Sequence, residues 1–418
     1  MFKFIHAADI HLDSPLHGLE RYEGAPVAAI RNATREALQN LVQLALDEEA
    51  AFLLVSGDLY DGDWKDYNTG LFFVKQMSRL READIPAFIA AGNHDAASRI
   101  TRNLRLPENV HLFSSRKPET RLVENPPAAI HGRSFPMRAV QENLAVDYPE
   151  PVPDRFNIGL LHTCLDGREG HEPYAPCSLE DLLAKRYDYW ALGHVHGCEV
   201  LHRNPWVAFS GNIQGRNIRE TGPRGCLLVT VDDAGTAAVE HRTLDVLRWS
   251  LLEIDAAAAA QAEEIVERAA LAIKAEASSC EGRMLAVRIR VTGASPAHAD
   301  LLANPERWVN EMRACALDCG DVWVEKVQFR TSLPLDLEQM SKGPDAVGDL
   351  LRFMNTLSAD PQMLASLADD LAPLRSKLPS ELLHGEDPAG LEGPNQLRDI
   401  VEDARQILVS RLLGREDG

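Results

Sequence analysis

Apolar and polar positions alternate in two ways along this chain. From Phe2 to about Asp245, short apolar runs rich in β-branched and aromatic residues alternate with longer stretches in which apolar residues recur every three or four positions. The short runs predict strands, and the longer period predicts amphipathic helices. Regular alternation of strands and helices is typical of a layered α/β domain.

The predicted strands share a short apolar run, and nearly all of them end in a cluster of Gly, Asp, His or Asn. They are Lys3–Ile10, Ala51–Ser56, Ala87–Ala91, Ala128–Ser134, Asn157–His162, Tyr189–Leu192 and Leu227–Val231. The helices predicted between them are Arg31–Glu49, Asn68–Ala83 and Leu179–Arg186. Because loops after strand C-termini converge on one edge of such folds, we expect a functional site there.

The pattern changes after residue 245. Residues 246–331 predict a βαβαβ module with an Ala-rich helix at Ala256–Ala277 and a second helix at His298–Ala316. After Pro334 apolar residues keep helical spacing between Pro, Gly and acidic breaks, which predicts helices that bind a partner. The expected domains are therefore 1–245, 246–333 and 334–418.

Charge and composition restrict the functional class. The chain has 418 residues, 45% of them hydrophobic, and a formal net charge of -20. This length and apolar content suit a large globular core, and the negative charge argues against a uniformly basic surface for binding a polyanion. Any contact with a polyanion must be local or supplied by a partner.

Cysteine usage and the N-terminus indicate a compartment. The seven cysteines are scattered without zinc-finger or disulfide-framework spacing, which favours a reducing cytoplasm. The first residues resemble a strand and not a signal peptide. Because no apolar run is long enough to span a bilayer, we expect a soluble cytoplasmic protein with no membrane contact.

Five short polar signatures follow five separate predicted strands. They are Asp9-Ile10-His11, Gly57-Asp58, Gly92-Asn93-His94-Asp95, His162 and Gly193-His194-Val195-His196. Oxygen and imidazole ligands suit divalent ions that act on phosphate, and a two-metal centre needs one carboxylate that bridges both ions. We predict Asp58 as the bridge. The predicted ligands are Asp9, His11, Asp58, Asn93, His162, His194 and His196.

Spacing supports this prediction, although each signature alone has another explanation. In an extended segment, Asp9 and His11 would lie on the same face, and so would His194 and His196. A Gly-Asp pair also fits a simple turn, and His162 fits a hydrogen-bonded core histidine. Five of the 14 histidines nevertheless lie in these signatures, which favours a common site.

His94 has a predicted role different from that of the ligands. It follows Asn93, so a protonated imidazole there can stabilise or protonate a leaving oxygen. Asp95 is predicted to hold the tautomer of His94 and raise its pKa. The alternative is that Asp95 caps the helix that follows and His94 is an exposed group without a catalytic role.

The order of these motifs resembles the calcineurin-like metallophosphoesterases. The opening Ala7-Ala8-Asp9-Ile10-His11-Leu12-Asp13-Ser14-Pro15-Leu16 resembles the SbcD-type DNA repair nucleases, and their YhaO branch in particular. The resemblance implies an α/β metallophosphoesterase layered sandwich with a small α+β capping domain and a helical C-terminal region. It covers Phe2 to Asp245 strongly, whereas the tail matches only in helical character.

The resemblance also implies a mechanism with two divalent metal ions, most simply Mn²⁺. The residues implied for one ion are Asp9, His11, Asp58 and His196, and those implied for the other are Asp58, Asn93, His162 and His194. A hydroxide that bridges the ions would attack the phosphodiester in line, and His94 would assist departure of the 3′-oxygen.

Partners implied by the resemblance are DNA and an SMC-like coiled-coil ATPase of the SbcC/YhaN type, bound through the C-terminal helices; a homodimer is a further expectation. One position departs from the family, because Asp61 stands where SbcD-like nucleases usually carry His. This acidic group would change the handling of DNA. Alternatively, it bonds the backbone of its own turn.

Three functions stay open at this point. The first is a Mn²⁺-dependent DNA nuclease subunit in DNA repair, acting as exonuclease or endonuclease. The second is a small-nucleotide phosphodiesterase, and the third is a structural subunit that binds DNA ends without cutting. Candidate substrate contacts are arginines on loops, since guanidinium groups bind phosphate in a bidentate manner. They are Arg133, Arg216, Arg219 and Arg224.

Overall fold

The computed structural model describes residues 1–14, 24–61, 67–97, 105–165, 174–257, 259–378 and 394–413, and it divides into two compact units. The first unit comprises Met1–Leu251, Ala275–Arg288 and Cys319–Glu325. The second comprises Leu252–Lys274, Ile289–Asp318 and Lys326–Gly418. The three domain boundaries expected from the sequence stay a prediction.

Strands make up much of the first unit. In chain order they are β1 (Phe2–Ala7), β2 (Leu53–Ser56), β3 (Ala87–Ala90), β4 (Val110–Leu112), β5 (Glu119–Val123), β6 (Ala128–Gly132), β7 (Phe156–His162), β8 (Tyr189–Gly193), β9 (Glu199–Arg203), β10 (Trp206–Phe209), β11 (Gly225–Val231), β12 (Ala237–Thr243), β13 (Leu247–Asp255), β14 (Met284–Ala294) and β15 (Val322–Ser332). The last three are each divided between the two units.

Helices lie between the strands and at the C-terminal end. They are α1 (Val27–Asp47), α2 (Tyr67–Glu82), α3 (Asn93–Ala97), α4 (Leu179–Ala184), α5 (Ala262–Ser279), α6 (His298–Ala303), α7 (Pro305–Leu317), α8 (Leu337–Met340), α9 (Ala346–Ala359), α10 (Pro361–Arg375) and α11 (Pro394–Leu413). A 3₁₀ turn covers Leu144–Asp147.

Two six-stranded sheets form the centre of the first unit. The strand order of one is β12-β11-β1-β2-β3-β4, and that of the other is β5-β6-β7-β8-β10-β9. Strands β1 to β4 are parallel, as are β6, β7, β8 and β10. Parallel neighbours bring their carboxyl ends to the same edge of a sheet, and these edges carry the predicted ligands. Strands β13, β14 and β15 form a third sheet.

Alternation of side chains along the strands builds the layers of the first unit. Phe4 and Leu54 pack in a buried cluster with Ile158 of the other sheet. Their neighbours Ile5 and Val55 belong to a second cluster that includes α1 and α2, because successive strand residues face opposite sides. A third cluster covers the outer face of the second sheet with α4. The first unit is therefore a sandwich of two sheets between helical layers, as predicted.

Helices dominate the C-terminal part of the second unit. Met354 of α9, Leu364 of α10, and Leu397 and Val401 of α11 are buried in one apolar cluster. The helical C-terminal region expected from the sequence is therefore confirmed among the residues that the structure describes. The cluster gives these three helices a small core of their own.

Each strand and helix predicted before residue 245 is present, but several strands are missing from the prediction. Strands β5, β9 and β12 escape it because they carry charged residues and are only partly buried. Their ladders use main-chain groups, which carry no sequence pattern. The strand expected over Lys3–Ile10 ends at Ala7, and the reason lies in the ligand loop that follows.

Candidate metal centre

Hydrogen bonds between loops of the two sheets assemble the site. The amide of Asp9 donates to the carbonyl of Gly57 at 3.0 Å, and that of His11 donates to the carbonyl of Asp58 at 2.9 Å. The amide of His194 donates to both carboxylate oxygens of Asp9, each at 3.1 Å. The loops after β1, β2 and β8 are therefore joined before any ion is considered.

The backbone of these loops is left-handed at the ligands. The φ angles are 50° at Asp9, 45° at His11, 51° at Asp58 and 104° at His194. Asp and His enter this region more readily than most residues. The expectation that Asp9 and His11 share one face of an extended segment is wrong, because β1 has already ended. A turn, and not the strand pleat, brings the two side chains together.

Asp9, His11 and His196 form one group of ligand atoms. All three atoms lie within 4.8 Å of one another, and the Nε2 atoms of His11 and His196 are 3.3 Å apart. Both carboxylate and imidazole groups in this set are suitable for a divalent ion. The structure thus brings together three of the four residues implied for the first ion.

Asp9, Asp58 and His162 form a second group, also within 4.8 Å. The Nε2 atom of His162 is 3.4 Å from Oδ2 of Asp58 and 2.8 Å from Oδ1 of Asn93. The imidazole rings of His162 and His194 have centroids 5.2 Å apart. Asn93 therefore joins this group directly, and His194 lies beside it; its role as a ligand stays a prediction.

Asp58 lies between the two groups. Its Oδ2 atom is 3.9 Å from Nε2 of His11 and 3.4 Å from Nε2 of His162. Its Oδ1 atom accepts the amide of His94 at 3.0 Å. This placement is the one that a bridging carboxylate requires.

The electrostatics of the pocket favour cations. Burial raises the pKa of Asp9, and the negative charge of Asp58 raises it further. Burial would lower the pKa of His162, but the Asp58 carboxylate outweighs it and raises that pKa to about 9. Two buried carboxylates thus hold positive charge on a buried imidazole, a charge that a metal ion can supply instead. The residues present therefore fit a divalent metal site.

Two glycines allow the ligands to approach one another. A Cβ atom on Gly57 would lie 2.2 Å from Nδ1 of His162, and one on Gly92 would lie 2.3 Å from Oδ1 of Asp58. Gly57 also has a φ of 97°, which side-chain-bearing residues rarely adopt. Close approach of ligands explains why glycine precedes the ligands at these two positions.

His94 lies at the edge of the centre with Asp61 as its partner. Its Nδ1 atom is 2.7 Å from Oδ1 of Asp61, and its side chain is 30% exposed. Ser14 donates to the other carboxylate oxygen of Asp61 at 2.5 Å. Burial lowers the pKa of His94, but the hydrogen bond to Asp61 and the charge of Asp58 outweigh it and raise that pKa. With Nδ1 held by Asp61, Nε2 is the nitrogen that can meet a substrate.

Asp95 has a structural role, so the prediction that it orients His94 is wrong. Its carboxylate accepts the amides of Leu59 at 3.1 Å, Tyr60 at 2.9 Å and Gly92 at 3.0 Å. Adjacent residues of a helix do not face each other, and both His94 and Asp95 lie in α3. Asp95 holds the loops after β2 and β3 together, while Asp61 supports His94.

Arg216 is the predicted substrate contact that lies nearest to this chemistry. Its Nη1 atom is 3.7 Å from Oδ2 of Asp61, and its Nη2 atom donates to Oε1 of Glu220 at 2.9 Å. Burial lowers the pKa of Arg216, but the charge of Glu220 outweighs the effect of burial and raises that pKa above its ordinary value. A fully charged guanidinium therefore borders the metal centre.

The other three arginines are placed differently. Arg224 donates to the carbonyl of His196 at 2.5 Å, so part of its guanidinium supports a ligand loop. Arg133 pairs with Asp147 at 3.1 Å. Arg219 is exposed. A contact between any of these arginines and a substrate stays a prediction.

Two functional partners were not identifiable from the sequence. Glu220 is 2.7 Å from Nδ1 of His196, and Asp61 supports His94. No spacing rule marks either residue, since a hydrogen-bond acceptor for a histidine can come from any part of the chain. The sequence offered two signals, the family departure at Asp61 and the four-residue spacing of Arg216 and Glu220. Neither indicates a histidine partner, and the spacing is common on surface helices.

Comparison with known families agrees with this geometry. Residues 2–198 match the family model for calcineurin-like phosphoesterase, and residues 249–332 match that for the middle domain of metallophosphoesterase YhaO. Residues 2–198 therefore form a calcineurin-like phosphoesterase domain, with the metallophosphoesterase fold.

Two individual proteins are similar in sequence to this chain. An uncharacterized metallophosphoesterase YhaO from Bacillus subtilis is 40% identical over 256 residues, which is 60% of this chain and 62% of that protein. The chain is thus a YhaO homologue that matches less than two thirds of its relative's length. A DNA double-strand break repair protein Mre11 from Methanopyrus kandleri is 26% identical over 371 residues, covering 80% of this chain and 74% of that protein.

Solved structures resemble part of the chain at low identity. A dimetal phosphatase from Danio rerio is 10% identical, covers 58% of this chain and 96% of its own, and has a TM-score of 0.36. The protein TT1561 of Thermus thermophilus is 16% identical, covers 57% and 98%, and has a TM-score of 0.33. Separately, none of the described helices is long and apolar enough to cross a membrane.

Proposed function

We propose that this protein is a metal-dependent phosphodiesterase that cleaves DNA as the nuclease subunit of a repair complex. The observation that carries the proposal is the convergence of Asp9, His11, Asp58, His162 and His196 in two clusters of ligand atoms that share Asp9, next to the His94–Asp61 pair. Sequence similarity to a protein named for DNA double-strand break repair supports DNA as the substrate.

The residues that would hold the ions are the seven predicted ligands, with Asp58 shared. Mixed imidazole and carboxylate ligands suit Mn²⁺, and we propose this ion at both positions. Two such ions would supply Lewis acidity, which activates water and stabilises charge on a phosphate.

Two residues of the chain act on the substrate in this proposal. Protonated His94 donates from Nδ1 to Asp61, 2.7 Å away, and from Nε2 to the leaving oxygen. Asp61 and Asp58 favour this charged form, because they raise the pKa of His94. Arg216 binds a phosphate oxygen, because its guanidinium borders the pocket and is fixed by Glu220.

Partner binding belongs to the second unit. Phe353 of α9 is 56% exposed, and Ile407, Leu408 and Leu412 of α11 are each more than 40% exposed. We propose that these helices bind a coiled-coil ATPase of the SMC type, which would supply DNA affinity that a chain of charge -20 lacks. Leu408→Glu, on an exposed position, should prevent co-elution with such an ATPase, whereas Leu271→Glu on α5, 70% exposed, should not.

The substrate is tested by comparing phosphodiesters with one protein preparation. We expect the Mn²⁺-loaded chain to cleave linear duplex DNA and to lose this activity with a chelator. Asp58→Asn, purified identically, controls for contaminating nucleases and should be inactive.

Turnover of cyclic nucleotides without cleavage of DNA would remove the nuclease proposal and favour a small-nucleotide phosphodiesterase. A metal-loaded protein inert towards every phosphodiester would instead favour a DNA-end-binding subunit that does not cut. These two alternatives use the same ligands, so only the substrate comparison separates them.

A further inference from the structure

Glu220 lies beside the metal centre but outside its ligand set. Its side chain is 8% exposed, and its carboxylate is 2.7 Å from Nδ1 of His196. It also accepts the amide of Arg216 at 2.7 Å, Nη2 of Arg216 at 2.9 Å and Nδ2 of Asn212 at 2.9 Å. One buried carboxylate thus joins a ligand, a cation and an amide.

The proton on the His196 ring can be placed by considering its neighbours. Nδ1 is 2.7 Å from Oε1 of Glu220 and 3.2 Å from Nη2 of Arg216. An unprotonated Nδ1 would put its lone pair against a carboxylate oxygen at 2.7 Å, which is repulsive. The Arg216 nitrogen lies closer to its acceptor on Glu220, at 2.9 Å, than to Nδ1. Nδ1 of His196 is therefore the protonated nitrogen.

This tautomer leaves the lone pair of His196 on Nε2. That atom is 3.3 Å from Nε2 of His11, and His196 belongs to the group with Asp9. A ligand histidine whose other nitrogen donates to a carboxylate is oriented and made a stronger donor. Glu220 therefore acts on the metal centre through His196, without contacting an ion.

We propose that Glu220 is a positioning residue that fixes the tautomer of His196 and holds Arg216 at the border of the pocket. Arg216 lies 3.7 Å from Asp61, which supports His94, so one chain of contacts runs from the ligand to the leaving-group residue. The inference deepens the proposed function and rests on it for the phosphate contact of Arg216.

The experiment measures Mn²⁺ binding to the full chain by calorimetry, without substrate. Glu220→Gln keeps the shape of the side chain but removes its charge. We expect one of the two ions to bind roughly 10- to 100-fold more weakly, while the other keeps its affinity. The matched control is Glu325→Gln, which removes a buried carboxylate bonded to Arg288 at 2.5 Å and 2.7 Å and should leave both affinities unchanged.

Parental affinities in Glu220→Gln would overturn the proposal, and so would an equal loss in Glu325→Gln, which would indicate general destabilisation. Should Glu220→Gln not fold, nitrogen–proton correlation NMR of the Zn²⁺-loaded parent decides the matter. A proton on Nδ1 of His196 supports the proposal, and a proton on Nε2 overturns it. Because neither readout is hydrolysis, a parent that binds two ions but cuts no DNA refutes the proposed function separately.

Discussion

The two halves of the metal centre use the same ligand type but orient it by different means. His162 is fully buried, and its Nδ1 atom donates to the main-chain carbonyl of Ser56 at 2.9 Å. His196 is 25% exposed, and its Nδ1 atom donates to the side chain of Glu220. The main chain therefore orients His162, in what we call the inner half of the centre. A charged side chain orients His196, in the outer half.

This difference indicates how each half responds to change. The carbonyl of Ser56 ends β2, so no side-chain substitution removes it, and the inner half depends on backbone geometry. The outer half depends on Glu220 and on the arginine that balances its charge. A buried carboxylate without its cation costs several kcal/mol, so Arg216 and Glu220 act as a unit.

The largest expected effect comes from breaking both halves at once. Asp58→Ala removes the carboxylate between His11 and His162, so both ions should be lost. Hydrolysis should then fall by more than about 10,000-fold, the upper contribution of a single proton donor, because the ions supply both the nucleophile and the charge stabilisation. Metal quantitation alongside rates measures both. Asp233→Ala removes a carboxylate that is 91% exposed and should change neither; two retained ions in Asp58→Ala would contradict the bridging role.

His94→Gln should leave both halves of the metal centre intact and still lose catalysis. We expect both ions to stay bound while the rate falls by about 100- to 10,000-fold, the usual contribution of a proton-donating side chain. In Asp61→Asn the rate should fall less, by about 10- to 100-fold, because Asp61 acts through His94. Metal loss in His94→Gln equal to that in Asp58→Ala would show that the role assigned to His94 is wrong.

Gly57→Ala should break the inner half alone. Its Cβ atom would lie 2.2 Å from Nδ1 of His162, which displaces the ring, so one ion should bind more weakly by about tenfold or more. Backbone strain at a φ of 97° should also cost about 1–3 kcal/mol of the free energy of unfolding.

Gly235→Ala is the matched control for this substitution, since its φ is 81° and no atom lies within 4 Å of the added Cβ. It should lose stability without losing an ion. If Gly57→Ala binds two ions with parental affinity, the inner half does not depend on the close approach of Gly57 to His162. Calorimetry with Mn²⁺ and urea unfolding supply both measurements.

The prediction that leaves the metal centre unchanged concerns His6, a buried histidine that has neutral partners. Its ring nitrogens contact the hydroxyl of Tyr189 at 3.0 Å and the carbonyl of Leu192 at 3.1 Å. Burial lowers its pKa from 6.5 to about 3, although the bond to Leu192 opposes this. The unfolded chain therefore takes up a proton below pH 6.5 that the folded protein does not bind until about pH 3.

Stability contributed by neutral His6 is present above pH 6.5 and declines as the pH falls towards 3, at up to about 1.4 kcal/mol per pH unit. The difference between the parent and His6→Gln in urea unfolding of metal-free protein isolates this slope from other groups. A difference that does not change with pH would show that the imidazole titrates normally.

The residues that gather in the candidate metal centre could be predicted from the sequence, because metal chemistry admits few residue types. Asp9, Asp58 and Asn93 each follow an apolar run that predicts a strand, and the convergence of strand ends follows from the α/β class. The reason given for the Asp9–His11 pair was wrong, since left-handed φ angles and not a pleat bring them together. The grouping of these residues is thus more predictable from the sequence than their backbone geometry.

By itself, the sequence determined the α/β class, the order of the strands that carry ligands and the seven residues grouped around the pocket. Only the tertiary structure decided which side chains orient them. Glu220 is 24 positions from His196, and Asp61, not the adjacent Asp95, supports His94. The physical reason is that a hydrogen bond needs only an acceptor at the right distance, which any residue or carbonyl can supply once folding has placed it there.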